Sequence, residues 1–173
     1  MDDHFDIAII GMGCAGCHVV LELLNQNYAG RVVIVDDYKA ESLDKTWSFW
    51  EKGSGPWDHL VNAAWQNGVF KSKKNYLKLN LGDYSYKSIP SKDFINYTIS
   101  QISKSKSFTY LNSHVVDLKS KDKLYTLLTK NENITSTIVL DSRVSPQFQN
   151  DTSSTTLLQH FKGWVIETDY DTF

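Results

Sequence analysis

The chain has 173 residues, with 18 Lys and Arg against 20 Asp and Glu, a net charge of −2 and 41% apolar residues. That is the mix of an ordinary folded domain; it has neither the basic footprint that nucleic acid requires nor the roughly 18 unbroken apolar residues of a spanning helix. The acidic opening Met1-Asp2-Asp3-His4-Phe5-Asp6 is unlike a signal peptide, and two cysteines, Cys14 and Cys17, fit a reducing cytoplasm better than a disulfide framework.

Phe5–Ile10 is a short β-branched apolar run and predicts a buried strand. It enters Gly11-Met12-Gly13-Cys14-Ala15-Gly16 directly. From Cys14 to about Asn27, Val19, Val20, Leu21, Leu23 and Leu24 recur three and four apart, predicting a helix with one buried side that Ala29-Gly30 ends. Arg31–Asp36 predicts a second buried strand, so the opening reads as a right-handed βαβ unit. Residues 37–67 show no clean periodicity but carry Trp47, Phe49, Trp50, Trp57 and Trp65. Tyr76–Leu81 and Tyr84–Ile89, joined through Gly82-Asp83, read as a hairpin. After Pro90, Ser91 is placed to cap a helix whose shared face is Phe94, Ile95, Thr98, Ile99 and Ile102.

Phe108–Leu111 predicts a further parallel strand, and Val115–Lys119, Leu124–Thr129 and Ile134–Leu140 a β-meander. Residues 145–156 read as a polar crossing loop, and Leu157–Thr168 as one strand. A lone strand is unstable, so the expected organisation is a dinucleotide-binding domain over 1–144, with an aromatic and hairpin insert at about 42–90, and the first strand of a truncated substrate domain over 145–173. The expected class is α/β, Rossmann-like.

Gly11-x-Gly13-x-x-Gly16 gains meaning from its context. It follows a strand, opens a helix, and precedes Asp36 at the end of the next strand by twenty residues. Gly11 would permit the tight turn, Gly13 the approach of a pyrophosphate, and Gly16 close packing of helix on strand. Free amides around Cys14 and Ala15, at the positive end of the helix dipole, suit phosphate charge. Asp36 would accept hydrogen bonds from ribose hydroxyls and repel a 2′-phosphate, which disfavours NADP as the tightly bound nucleotide. Cys14-Ala15-Gly16-Cys17 also spells a dithiol motif at a helix start, but small residues are wanted there on steric grounds. Without a second cysteine pair it is not a zinc site, and no metal is expected.

The aromatic string 45–53, KTWSFWEKG, completes a pattern. Together with DIAIIGMGCAGCHVVLELL (6–24), VVIVDD (32–37), Asp141-Ser142-Arg143 and Gln159-His160-Phe161-Lys162-Gly163, it resembles the N-terminal half of the bacterial lycopene β-cyclases, flavoproteins of carotenoid biosynthesis. Val144 stands where that family usually has glycine after Asp-x-Arg, and family members are longer. The resemblance implies a glutathione-reductase-type FAD/NAD(P)-binding fold and acid-initiated closure of lycopene ends to β-ionone rings. Reduced FAD is the implied cofactor, with NAD(P)H as electron donor and no net redox change. For the full-length protein it also implies a cytoplasmic location, peripheral at the inner face of the membrane where lycopene dissolves, with the membrane contact expected in the part beyond this chain.

Aromatic faces stabilise cations, so Trp47, Phe49 and Trp50 are expected at the border of flavin and polyene. The resemblance implies that the chain is truncated before the catalytic acid, which would lie beyond the position of Phe173, so none is assigned. Glu51, the one carboxylate inside the string, is a weak candidate that burial could favour, and His114 and His160 read as ordinary strand histidines. Two other readings stand beside this one: an FAD-dependent monooxygenase or oxidoreductase of the same fold, and an inactive nucleotide-binding fragment.

Overall fold

The computed structural model describes residues 4–37, 45–143, 151–153 and 155. The chain divides into two compact units, Met1–Arg143 and Val144–Phe173. In the second, the Asp151 carboxylate accepts hydrogen bonds from the amide and hydroxyl of Ser153; the strand expected over Leu157–Thr168 lies outside the described residues.

The first unit is built on β1 (His4–Ile10), α1 (Cys14–Asn25) and β2 (Val32–Asp36). β-Branched residues fill β2, where Val32, Val33, Ile34 and Val35 are all 0% exposed; each such side chain contributes roughly 1.5–3 kcal/mol by leaving water. Strand alternation sends them to two cores. Ile7, Ile9, Val32 and Ile34 pack on Cys17 and Val20 of α1, and Ala8, Ile10, Val33 and Val35 face the other way. Helix α1 stops two residues before the expected Asn27, because Asn27 itself takes φ +52° and turns the chain.

β8 (Phe108–Asn112) lies parallel to β2, and β9 (Val115–Lys121), β10 (Leu124–Thr129) and β11 (Asn133–Asp141) form the expected meander. The last of these also pairs in parallel with β1, Ile10 opposite Asp141. The sheet therefore runs β8-β2-β1-β11-β10-β9. Val115, Leu127 and Ile134 of the meander close the second core. Four parallel strands thus present their carboxyl ends on one edge, where ligands bind in open α/β sheets.

The insert departs from the sequence reading. The region without clean periodicity contains β3 (Thr46–Lys52), a 3-10 turn at Asp58–Leu60 and β4 (Ala63–Trp65), and β5 (Asn67–Lys71) follows. β6 (Tyr76–Asn80) and β7 (Tyr84–Pro90) do not form a hairpin with each other: β6 pairs with β5, and β7 lies between β3 and β4. Gly82, at φ +59°, turns the chain as expected. However, β7 carries the buried run Lys87-Ser88-Ile89, and a strand with buried backbone must be paired along both edges. Helix α2 (Ser91–Ile102) buries Phe94, Ile95, Thr98 and Ile102 as its spacing predicts. Ser91 is no cap. It is the first helical residue, its amide donates to the Lys45 carbonyl at 2.8 Å, and its hydroxyl is buried without a partner among the described residues. Among the described residues no helix is long and apolar enough to cross a membrane.

Candidate functional site

The glycine turn sits at the carboxyl edge of the parallel strands, between β1 and α1. Gly11 takes φ +94° and its amide donates to the Val35 carbonyl at 2.9 Å. A Cβ there would strike the Ser142 hydroxyl, and one at Gly16 would strike the Gly11 carbonyl. At Gly13 a Cβ would meet nothing within 4 Å. Gly13, Cys14 and Ala15 are exposed, whereas Gly16 and Cys17 are buried. Gly11 and Gly16 therefore make a tight turn possible, and Gly13 leaves open space over the first amides of α1. A phosphate fits such a cradle through N–H donors and the helix dipole.

Two groups hold the cradle. Asp36 Oδ2 accepts from the Met12 amide at 2.6 Å, so this carboxylate spans from β2 to the turn itself; its other oxygen has no partner among the described residues. From the opposite flank, the Ser142 amide and hydroxyl both donate to the Ile10 carbonyl, at 3.0 and 2.8 Å. Ser142 stands between Asp141 and Arg143. Their ion pair is two-pronged, Nε and Nη2 on the two carboxylate oxygens at 2.9 and 2.8 Å, and Arg143 Nη1 donates to the Val115 carbonyl at 2.7 Å. Arg143 holds the Asp141 carboxyl below its ordinary range. Met12 and Ser142 escaped the sequence reading because their roles depend on pairing across the sheet, which no local pattern encodes: Met12 meets Asp36 at the end of β2, and Ser142 meets the Ile10 carbonyl because β11 lies beside β1.

The thiols are poor redox groups. Burial pushes the Cys17 thiol up to about 12, and Cys17 Sγ lies 3.4 Å from the Met12 carbonyl. Burial raises the Cys14 thiol as well. A thiol so raised supplies little thiolate at neutral pH. Among the described residues no group of three or more His, Cys, Asp or Glu is placed to hold a metal.

The three aromatic candidates do not share a face. Along β3 the side chains alternate, so Trp47 and Phe49 turn to the core formed with α2, and Trp47 packs edge-on against Phe94 at 5.7 Å. Trp50 points the other way, 56% exposed, its ring 4.6 Å from that of Tyr86. Trp57, unassigned from sequence, also meets Phe94, at 4.9 Å, and His18 of α1 at 5.3 Å. Phe94 is thus the hub joining the first helix to the aromatic strand. An open groove of about 950 Å³, lined by His18, Leu21, Trp57, Tyr97 and Gln101 among others, lies between the helices and includes none of the fingerprint residues.

Glu51 is a counter-ion. Its carboxylate lies 2.8 Å from Lys87 Nζ, which also bonds Asp58 and the Gly53 carbonyl. The Lys87 side chain is only 7% exposed. A buried ammonium needs such partners, so the charge of Glu51 is spoken for. His114 Nδ1 lies 2.9 Å from Asp37 Oδ2 on the exposed surface beyond β8, and His160 lies outside the described residues.

The family model for lycopene cyclase proteins matches residues 6–173. The chain belongs to that family. No curated protein sequence matches it. Among solved structures, p-nitrophenol 4-monooxygenase PnpA from Pseudomonas putida DLL-E4 superposes with a TM-score of 0.64 at 13% identity, over 80% of this chain and 40% of that one. The halogenase PltM, in its complex with phloroglucinol and FAD, gives 0.59 at 11% identity, over 80% of this chain and 34% of that one. These likenesses support the Rossmann-like α/β fold. The chain spans well under half the length of either structure.

Proposed function

We propose that this member of the lycopene cyclase family acts as a lycopene β-cyclase, binding FAD on the glycine turn and closing lycopene ends into β-ionone rings. The observation that carries the reading is the family match over residues 6–173 combined with a turn whose one open position, Gly13, lies over free helix amides. Gly13, Cys14 and Ala15 would bind the pyrophosphate, with the fit set by Gly11 and Gly16. Asp36 would receive the ribose hydroxyls on its unpartnered oxygen while the other keeps the turn closed.

Reduced FAD, with electrons drawn from NAD(P)H, would supply negative charge that favours a cationic intermediate. The chain's own task is to hold that cation away from water. Of the aromatic candidates, Trp50, exposed beside the tilted ring of Tyr86, would meet the polyene, with Trp47 and Phe49 anchoring the strand in the core. The initiating acid is assigned to none of the described residues, since Glu51 is engaged by Lys87. The expected location is cytoplasmic, peripheral at the inner face of the membrane.

The test has two arms. FAD titrated into the purified chain should bind, and Gly13→Val should abolish binding without loss of fold. The protein expressed in a lycopene-accumulating bacterium should yield a cyclised product without stoichiometric NAD(P)H consumption. The likeness to a monooxygenase fold favours a second reading, an FAD-dependent monooxygenase, which would consume NAD(P)H and oxygen in step with product.

A further inference from the structure

β5 and β6 form a separate two-stranded sheet, with Asn67 opposite Asn80, Gly68 opposite Leu79, Val69 opposite Lys78, Phe70 opposite Leu77 and Lys71 opposite Tyr76. Cross-strand partners share a face, so the register sorts the side chains. Phe70, Leu77 and Leu79 stand on one face, 60%, 55% and 40% exposed; Lys71, Lys78, Val69 and Tyr76 stand on the other with the two asparagines. The tip is a four-residue turn in which the Ser72 amide donates to the Asn75 carbonyl at 2.8 Å and the Asn75 amide to the Ser72 hydroxyl at 3.1 Å. That closure carries Lys73 and Lys74 at the outermost point.

Charge separates this hairpin from the rest of the molecule. The chain carries a net charge of −2, yet Lys71, Lys73, Lys74 and Lys78 fall within eight residues and no acidic residue occurs between Asp58 and Asp83. An apolar face of exposed phenylalanine and leucine on a thin ribbon that carries Lys73 and Lys74 at its tip and Lys71 and Lys78 on its reverse face combines the two chemistries that bind at the boundary of headgroup and acyl chain. Each lysine near an anionic surface strengthens partition by about fivefold.

We propose that the β5–β6 hairpin is a docking element for an anionic lipid surface, with Phe70, Leu77 and Leu79 entering the interface and the four lysines pairing with lipid phosphates. It names the surface through which the membrane contact of the proposed function is made. It does not depend on the chemistry of the glycine turn, and the two can fail separately, because vesicle binding is read without FAD or polyene.

The experiment is sedimentation of the full chain with phosphatidylcholine vesicles, with and without phosphatidylglycerol, and hydrogen–deuterium exchange on the same samples. The chain should bind the anionic vesicles, less as salt rises, and exchange should slow over residues 67–80. The quadruple variant K71Q/K73Q/K74Q/K78Q should lose on the order of a hundredfold or more in partition, and F70S/L77S should weaken binding with an unchanged melting temperature. Absence of binding, binding that survives both variants, or protection outside 67–80 would overturn the assignment. So would exchange over 67–80 that is already slow without vesicles, which would mean that another part of the chain covers this face.

Discussion

The Asp36 carboxylate and the Met12 amide meet at 2.6 Å across the gap between the second strand and the glycine turn. The residue expected to read a ribose is thus also one that holds the glycine turn in shape. A hydrogen bond to a charged group contributes about 1.5–3 kcal/mol. Asp36→Ala should therefore lower stability by about that amount in urea denaturation and weaken FAD binding as well. Asp36→Asn keeps an acceptor and should recover most of the stability but less of the affinity.

The three fingerprint glycines should separate by readout. Gly13→Val meets open space, so its melting temperature should match the parent chain while FAD affinity is lost. Gly16→Ala forces a methyl group against the Gly11 carbonyl and should cost about 1–3 kcal/mol by overpacking. Gly11→Ala faces both a φ of +94° and the Ser142 hydroxyl, and should cost at least as much. A Gly13→Val variant that unfolds would refute this division of labour.

Lys87 gives the stability curve its limbs. Its hydrogen bonds to Asp58 and then Glu51 raise the ammonium above its ordinary 10.5, and the bond from Lys87 lowers the Asp58 carboxyl below its ordinary 3.8. The Asp58 contribution is present above the ordinary carboxylate value and fades as pH falls toward the depressed one. The Lys87 contribution is complete below the ordinary lysine value and disappears as pH rises through the elevated one. Urea midpoints measured against pH should be flat between the two limits and fall outside them. Lys87→Met should lower the plateau and flatten the alkaline limb, since Glu51 and Asp58 lose their shared partner, while Asp141, depressed by Arg143, keeps part of the acid limb.

Alkylation tests the thiols. Cys14 is exposed and Cys17 buried, with the Cys17 thiol pushed up to about 12. Iodoacetamide at mildly alkaline pH should modify the native chain slowly and at Cys14 alone, read by mass spectrometry, and both cysteines in urea. A disulfide between them under mild oxidation would contradict the steric account of the motif.

Strand alternation divides the tryptophans. Trp47→Ala removes a ring packed on Phe94 and should destabilise the fold by about 2–4 kcal/mol, near the range for buried aromatics. Trp50→Ala, on the exposed face, should change stability by no more than about 0.5 kcal/mol while reducing conversion of lycopene. Equal stability losses in the two variants would place Trp50 in the core as well.

Local rules made a good part of this protein legible. β-Branched runs named β1 and β2, the three-and-four spacing named the buried face of α2, and glycine spacing named the tight turn between β1 and α1, because each signal lies within a few residues of what it describes. Three-dimensional pairing decided the rest. Glu51 looked like a candidate acid until Lys87, 36 residues away, was found to neutralise it, and Ser142 met the turn only because β11 lies in parallel beside β1. β6 and β7 are adjacent in the chain yet belong to different sheets, since the buried backbone of β7 requires partners on both edges and β3 and β4 provide them. Side-chain pattern records which face a residue prefers; which strand or charge it meets there depends on closing loops of tens of residues, and only the folded chain settles that.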